Sequence, residues 1–221
     1  SHDIRTPLTS IMGATSAILE NPALSPAEQQ SLLVDVRDDA QWLIRIVENL
    51  LSITRIHNSE EARVKKAPEA AEEVIGSAVA KTHKHYPDVD VYVSVPDELM
   101  LVPMDPLLIE QVLVNLINNA IKYTPEHSRI ELFAAPEGKF VRICVTDDGP
   151  GIPEESRDKL FDMFYTLGKT RSDGRRGLGL GLALCRSIVA AHGGVIDVQN
   201  AAPHGACFRF TLPRTEVTLY E

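Results

Sequence analysis

A chain of 221 residues, 44% hydrophobic and 24% charged, has the composition of an ordinary globular protein, long enough for one large domain or two modest ones. A net charge of −9 with no basic tail or stripe excludes the electrostatic footprint of a nucleic-acid binder. No apolar run approaches the roughly 18–20 residues of a membrane-spanning helix and no signal peptide opens the chain, so a soluble piece is expected.

The chain starts at Ser1-His2-Asp3 without an initiator Met, which leads us to expect a segment of a longer protein. From Ile4 onward, apolar residues fall at Ile4, Leu8, Ile11 and Ile18, the alternating steps of four and three that mark a helix. Pro7 removes one helical amide bond, so a bend just after His2 is expected. The pattern breaks at Asn21-Pro22-Ala23-Leu24. Ser25-Pro26-Ala27-Glu28 then reads as a capping box, with Ser25 as N-cap and Pro26 at the first helical position.

The second helix carries a heptad ladder of Leu33, Val36, Ala40, Leu43, Val47, Leu50 and Thr54. Two helices with narrow apolar seams cannot bury those seams alone. A second copy would complete a four-helix bundle, and the alternative is packing on the rest of this chain.

Residues 61–71 are charged and Ala-rich, a plausible linker. Beyond them the pattern becomes mixed, with β-rich runs at 89–95, 130–134, 141–146, 195–199 and 207–212 and helical runs at 70–83, 106–123 and 182–192. The alternation in Val91-Tyr92-Val93-Ser94-Val95 predicts a sheet with one face covered by helices. The cysteines Cys144, Cys185 and Cys207 are scattered and odd in number, and read as buried thiols of a reducing compartment.

Three segments of this second region suit a nucleotide. Asn115, Asn119 and Lys122 share one helical face, offering carboxamide oxygens to a hard cation such as Mg²⁺ and an ammonium to phosphate. In Val145-Thr146-Asp147-Asp148-Gly149-Pro150-Gly151-Ile152 a strand runs into two glycines, and a carboxylate at its end can accept from an exocyclic amine such as adenine N6. Gly177, Gly179 and Gly181 alternate with leucines just before a helix, where free amides and the helix dipole favour phosphate. This spacing is neither a dinucleotide fingerprint nor a Walker loop. The basic stretch 167–176 between them suits a mobile lid.

Taken in order, these segments resemble the N, G1, F and G2 boxes of the histidine-kinase ATP-binding domain, with Phe161-Asp162-Met163-Phe164 as the F box. Ser1-His2-Asp3-Ile4-Arg5-Thr6-Pro7-Leu8 resembles the H box of the same kinases. The likeness covers nearly the whole chain. It implies an α-helical hairpin, half of a dimeric four-helix bundle, followed by an α+β Bergerat sandwich of the kind shared with heat-shock chaperone ninety, type II topoisomerases and mismatch-repair ATPases. The implied division is dimerisation and phosphotransfer over 1–60, a linker over 61–71 and catalysis over 72–216.

The resemblance implies ATP and Mg²⁺ as cofactors, His2 as phosphoacceptor, Asp3 as its partner and Thr6 as an orienter of water for dephosphorylating a response-regulator receiver domain. It also implies that Asn119 ligates the metal with help from Asn115. Lys122, Lys169 and Arg171 would touch phosphates, Tyr123 would border the nucleotide, and Asp147 would read adenine. Gly149, Gly151, Gly177, Gly179 and Gly181 would give backbone approach. The related ATPases place a water-activating Glu where Gln111 stands here; Gln is a poor base, which favours a kinase.

Two departures from the family pattern are Thr166, where a basic residue is common, and Gly205-Ala206-Cys207-Phe208, which offers no hydroxyl where Gly-Thr is usual. The second, together with the stretch 95–112, resembles the Kdp-type potassium and osmotic sensor kinases. Such a kinase would place this piece in the cytoplasm, next to membrane spans elsewhere in the parent, with a receiver-domain regulator as partner. A nucleotide-gated dimeric scaffold without kinase activity is the alternative reading.

Overall fold

The structure, a computed structural model, describes residues 2–58, 64–125, 128–167 and 179–214, with side chains in those ranges except at 2–3 and 53–58. The chain divides into two compact units, Ser1–Ser52 and Ile53–Glu221.

The first unit is helical. Helix α1 spans His2–Glu20 and runs through Pro7; helix α2 spans Pro26–Asn58. The turn between them is tied by local polar groups. The Ala23 amide donates to Asn21 Oδ1 at 3.2 Å, and the capping box closes reciprocally, the Ser25 amide donating to Glu28 Oε2 at 2.8 Å and the Glu28 amide to Ser25 Oγ at 3.3 Å. Those bonds from Ser25 hold the Glu28 carboxyl below its ordinary range.

Among the described apolar side chains of this unit, Ala14 and Ile46 are well buried, together with Pro7. The ladder residues Leu33 and Val47 stay 51% and 54% exposed, and Ile4, Leu8, Met12, Leu19, Ile44 and Leu51 are open as well. One helix pair cannot enclose both of its apolar stripes.

The second unit is a sheet covered on one face by helices. Strands β1 (Ala67–Ala70) and β3 (Leu101–Met104) pair antiparallel as a separate ribbon. Strands β2 (Val91–Ser94), β4 (Ile130–Glu137), β5 (Phe140–Asp147), β7 (Ala206–Pro213) and β6 (Ile196–Asn200) form a five-stranded sheet in that order. Only the β2–β4 pair of that sheet is parallel. Helices α3 (Ala71–His85), α4 (Pro106–Tyr123) and α6 (Gly181–Ala191) supply the helical layer, and α5 (Glu154–Arg157) is a single turn.

Alternation by two decides which face is covered. Ile130, Leu132, Ala134, Val141, Ile143, Val145, Phe208, Phe210 and Leu212 are buried, while their strand neighbours are less so. Helix α4 begins where Asp105 Oδ1 accepts from the Leu107 and Leu108 amides at 3.1 and 3.2 Å, with Pro106 at N1. It buries Ile109, Val112, Leu113, Leu116, Ile117 and Ala120, leaving Asn115, Asn119 and Lys122 half-buried on another face.

The ribbon and α5 have no counterpart in the periodicity reading, and β1 lies inside the stretch 61–71 read there as linker. Both ribbon strands contain a proline, Pro68 and Pro103, and their pairing spans more than thirty residues of chain, so no local period announces them. Among the described residues no helix is long and apolar enough to cross a membrane.

Candidate nucleotide-binding site

The site grows from the end of β5. Asp147 is 8% exposed, and its Oδ1 accepts from the Gly149 amide at 2.9 Å and the Ala206 amide at 3.1 Å. Burial pushes this carboxyl up, and the two amides and the neighbouring Asp148 charge modulate that rise. The carboxylate is thus oriented by backbone donors rather than neutralised by a cation.

The turn after it admits no side chain. A Cβ on Gly149 would lie 2.9 Å from both Asp147 Oδ1 and Thr124 Cγ2, and 3.6 Å from the Tyr123 carbonyl. The G1-like loop therefore rests directly on the C-terminal end of α4. Gly151, at φ +75°, is pressed against Asn200 Oδ1 and the Gly205 carbonyl, each 3.1 Å from where a Cβ would stand. Asn200 fixes the loop exit: its Oδ1 accepts from the Ile152 amide at 2.8 Å and its Nδ2 donates to the Ile152 carbonyl at 3.1 Å.

At the other end of the half-buried face of α4, a Cβ on Gly181 would stand 4.0 Å from Asn115 Cγ. The start of α6 therefore lies beside the first asparagine. Asn115 Nδ2 is buried without a hydrogen-bond partner among the described residues. Lys122 Nζ lies 5.0 Å from the centroid of the neighbouring Tyr123 ring, which is 52% exposed. Helix α4 so connects the Asp147–Gly149 turn at one end to Gly181 at the other, with Asn119 between them.

The F-like segment is built against Gly179. There a Cβ would fall 2.3 Å from the Tyr165 carbonyl oxygen, and the Gly179 carbonyl accepts from the Phe164 amide at 3.1 Å. Phe161 is buried edge-on against Phe208, 6.4 Å between centroids, and the Tyr165 hydroxyl donates to Ser156 Oγ at 3.0 Å. Met163 and Phe164 remain 46% and 56% exposed.

The structure sets Gly149 against Asp147 and the Tyr123 carbonyl, Gly151 against Asn200, Gly181 beside Asn115, and Gly179 against the F-like segment. Lys169, Arg171 and Gly177 lie outside the described residues, as do the side chains of His2 and Asp3. His2 opens α1, and Thr6, four residues on, is half-buried.

Sequence reasoning missed Asn200, Thr124, Tyr165 and the Ala206 amide. In the Gly205-Ala206 departure, a backbone N–H and not a side-chain hydroxyl meets Asp147. The donor set fits a nucleotide: an aimed, buried carboxylate, a turn open only to backbone, an orphaned carboxamide and a glycine-opened helix start. Among the described residues no cluster of three or more His, Cys, Asp or Glu could hold a metal, so Mg²⁺ would rely on the hard carboxamide oxygens of Asn115 and Asn119 and on the phosphates themselves.

Comparison with known proteins agrees with this geometry. Residues 104–216 match the family described as histidine kinase-, DNA gyrase B-, and HSP90-like ATPase, and residues 1–59 match the His Kinase A (phospho-acceptor) domain. The sensor protein KdpD of Clostridium acetobutylicum is 44% identical over 215 residues, 97% of this chain but 24% of that protein. The chain therefore spans about a quarter of that relative's length. Among solved structures, histidine kinase ThkA in complex with response regulator protein TrrA superposes with a TM-score of 0.76 at 28% identity, over 97% of this chain and 59% of that one. Full-length ShkA in complex with AMPPNP gives 0.70 at 27% identity, over 97% and 44% respectively.

Proposed function

Because this chain belongs to the histidine kinase-, DNA gyrase B- and HSP90-like ATPase family, in its sensor histidine kinase branch, we propose that it transfers phosphate from ATP to His2 and then to a receiver aspartate of a response regulator. The observation that carries this reading is the run of close approaches from Asp147 through Gly149 to the end of α4, and from Asn115 to Gly181. It supports a pocket that takes adenine at the Asp147 end and phosphates toward α6.

In this mechanism a neutral His2 attacks the terminal phosphorus with one ring nitrogen, and the bond to the bridging oxygen breaks as ADP departs. Asp3 holds the other ring N–H and stabilises the positive charge that develops. Asp147 accepts from the adenine amine, while Lys122, Lys169 and Arg171 meet the phosphate oxygens. Asn119, with Asn115, would hold Mg²⁺, which would neutralise phosphate charge. Gly149, Gly151, Gly177, Gly179 and Gly181 let backbone amides close on the ligand. The phosphoryl group then leaves His2 for the receiver carboxylate. Thr6, one helical turn beyond His2, orients water for the reverse task of clearing that aspartate.

The functional unit is a homodimer formed through the open apolar stripes of α1 and α2. The proposed division of labour is phosphotransfer over 1–60, linkage over 61–71 and catalysis over 72–216. The 44% likeness to a KdpD protein supports a potassium or osmotic sensor as parent, with this piece on the cytoplasmic side of its membrane spans.

The test gives the full-length protein radiolabelled ATP. Wild type acquires acid-labile label; His2→Gln loses the label but keeps ATP binding; Asn119→Asp loses binding. A dimer of sound ATP affinity that never acquires label overturns the kinase reading and leaves a nucleotide-gated scaffold.

A further inference from the structure

The face of the sheet turned away from the helices carries a second cluster of chemistry. Strand register places Cys144 of β5 opposite Arg209 of β7, and Thr146 opposite Cys207, so the two cysteines are diagonal neighbours on one face. Gln199 of β6 stands opposite Cys207. With Arg142 these side chains line a cleft of about 180 Å³. Both cysteines are free and partly accessible, whereas the third, Cys185, is fully buried.

The sulfurs are not equivalent. Each thiol is the largest influence on the other: the pairing pushes the Cys144 thiol far up and draws the Cys207 thiol down to about 6, against the burial that raises both. Thr146, opposite Cys207 across the strands, and the Arg209 charge also lower the Cys207 thiol.

The charged surroundings come from four strands. On β7, Arg209 is clamped by Asp197 of β6, Nη2 to Oδ2 at 2.7 Å. On β5, Arg142 donates to Glu137 of β4 at 3.0 Å and lies 5.9 Å from the Phe133 ring centroid. Glu131 of β4, which registers with Thr146, is taken up by Arg129 at 2.7 Å. The carboxylates around the cleft are thus engaged by arginines, and the guanidiniums that line it keep N–H groups for a further acceptor.

We propose that Cys207, set diagonally beside Cys144 in this arginine-lined cleft, is a site of covalent S-thiolation by small disulfides that bear carboxylates. The Cys207 thiolate attacks one sulfur of R–S–S–R; that S–S bond breaks and a Cys207–S–S–R bond forms. The departing RS⁻ takes a proton from solvent. Cys207 is oxidised and the released half is reduced, so electrons balance without another redox partner. Arg142 and Arg209 receive the carboxylates of the incoming group.

The test treats the whole chain with oxidised glutathione, and in parallel with the cationic disulfide cystamine, and maps adducts by peptide mass spectrometry. One glutathione adduct is expected, on Cys207, with Cys185 unmodified. Oxidised glutathione should outpace cystamine at least several-fold in the folded chain, and this preference should vanish in urea and shrink in Arg142→Gln. The pH profile of Cys207 alkylation should have its midpoint near 6, moving toward the ordinary thiol value of about 8.5 in Cys144→Ala. A wild-type midpoint near 8.5, equal labelling of the three cysteines, or a preference for cystamine would each overturn the assignment. If Cys144→Ala fails to fold, the charge preference and the Arg142→Gln comparison decide alone.

Discussion

The Asp105 amide donates to Nε2 of His192 at 3.1 Å, across 87 residues of chain. Because Nε2 accepts, the proton sits on Nδ1, which donates to the Ile188 carbonyl at 2.7 Å. One buried neutral imidazole thereby joins the N-cap of α4, the helix that carries Asn115 and Asn119, to the last turn of α6.

Burial, the largest cause, lowers the His192 pKa below its ordinary 6.5. Above about pH 6.5 the ring is neutral in folded and unfolded chains alike, and its contribution is intact. As pH falls through that value the unfolded chain takes up a proton that the folded one resists, so stability declines. Urea titrations of the second unit should show this decline between pH 7.5 and 5.5. His192→Gln should lose about 1–3 kcal/mol at pH 7.5 and show a flatter profile. A wild-type stability that rises toward pH 5.5 would refute the neutral assignment.

Asp147→Asn keeps an oxygen for the Gly149 and Ala206 amides but turns its other acceptor into a donor. Since burial already disfavours the charge, thermal stability should be unchanged or higher. Nucleotide affinity should fall about 10–100-fold, the loss of a charge-assisted hydrogen bond with the donor sense reversed. Calorimetric titration with an ATP analogue measures this; unchanged affinity would remove Asp147 from adenine recognition.

Gly205 and Gly138 both have positive φ, +111° and +60°, yet they should respond differently to alanine. At Gly138 a Cβ meets nothing within 4 Å, so the cost is that of the backbone conformation, about 1 kcal/mol. At Gly205 it would stand 1.8 Å from the Asp147 carbonyl oxygen, so the cost should reach about 3 kcal/mol or more, with nucleotide binding lost as Asp147 shifts. Equal melting temperatures for the two variants would contradict the packing described.

Ile44, Val47 and Leu51 form a 3–4-spaced stripe on α2, each about half exposed. Val47→Glu places a charge in that stripe and should convert a dimer to a monomer in light scattering, leaving the circular dichroism of the second unit intact. A variant that stays dimeric would move the interface off this stripe.

Helix α4 was legible to the residue because Asp105-Pro106 announces its start and its apolar period never falters. The strands of the main sheet were legible by alternation, with ends up to three residues adrift, the largest at the end of β4. Leu101-Val102-Pro103-Met104 was not, since it has no polar alternation and its partner, Ala67–Ala70, is remote. In the site, Asp147 and Gly149 stood out because strand, carboxylate and glycine are consecutive. Asn200 and Ala206 did not, because they reach the loop from 48 and 59 residues away and only folding reveals what they touch.

Asn200 makes with one carboxamide the two-bond exchange that a paired strand residue makes with its backbone. The chain between Asp147 and Ile152 is therefore buttoned at both ends, to Ala206 on one side and to Asn200 on the other. A clasp fastened this way has a set number of links. Its outward side chains, such as that of Pro150, are open to exchange, but adding or deleting a single residue would pull one fastening undone.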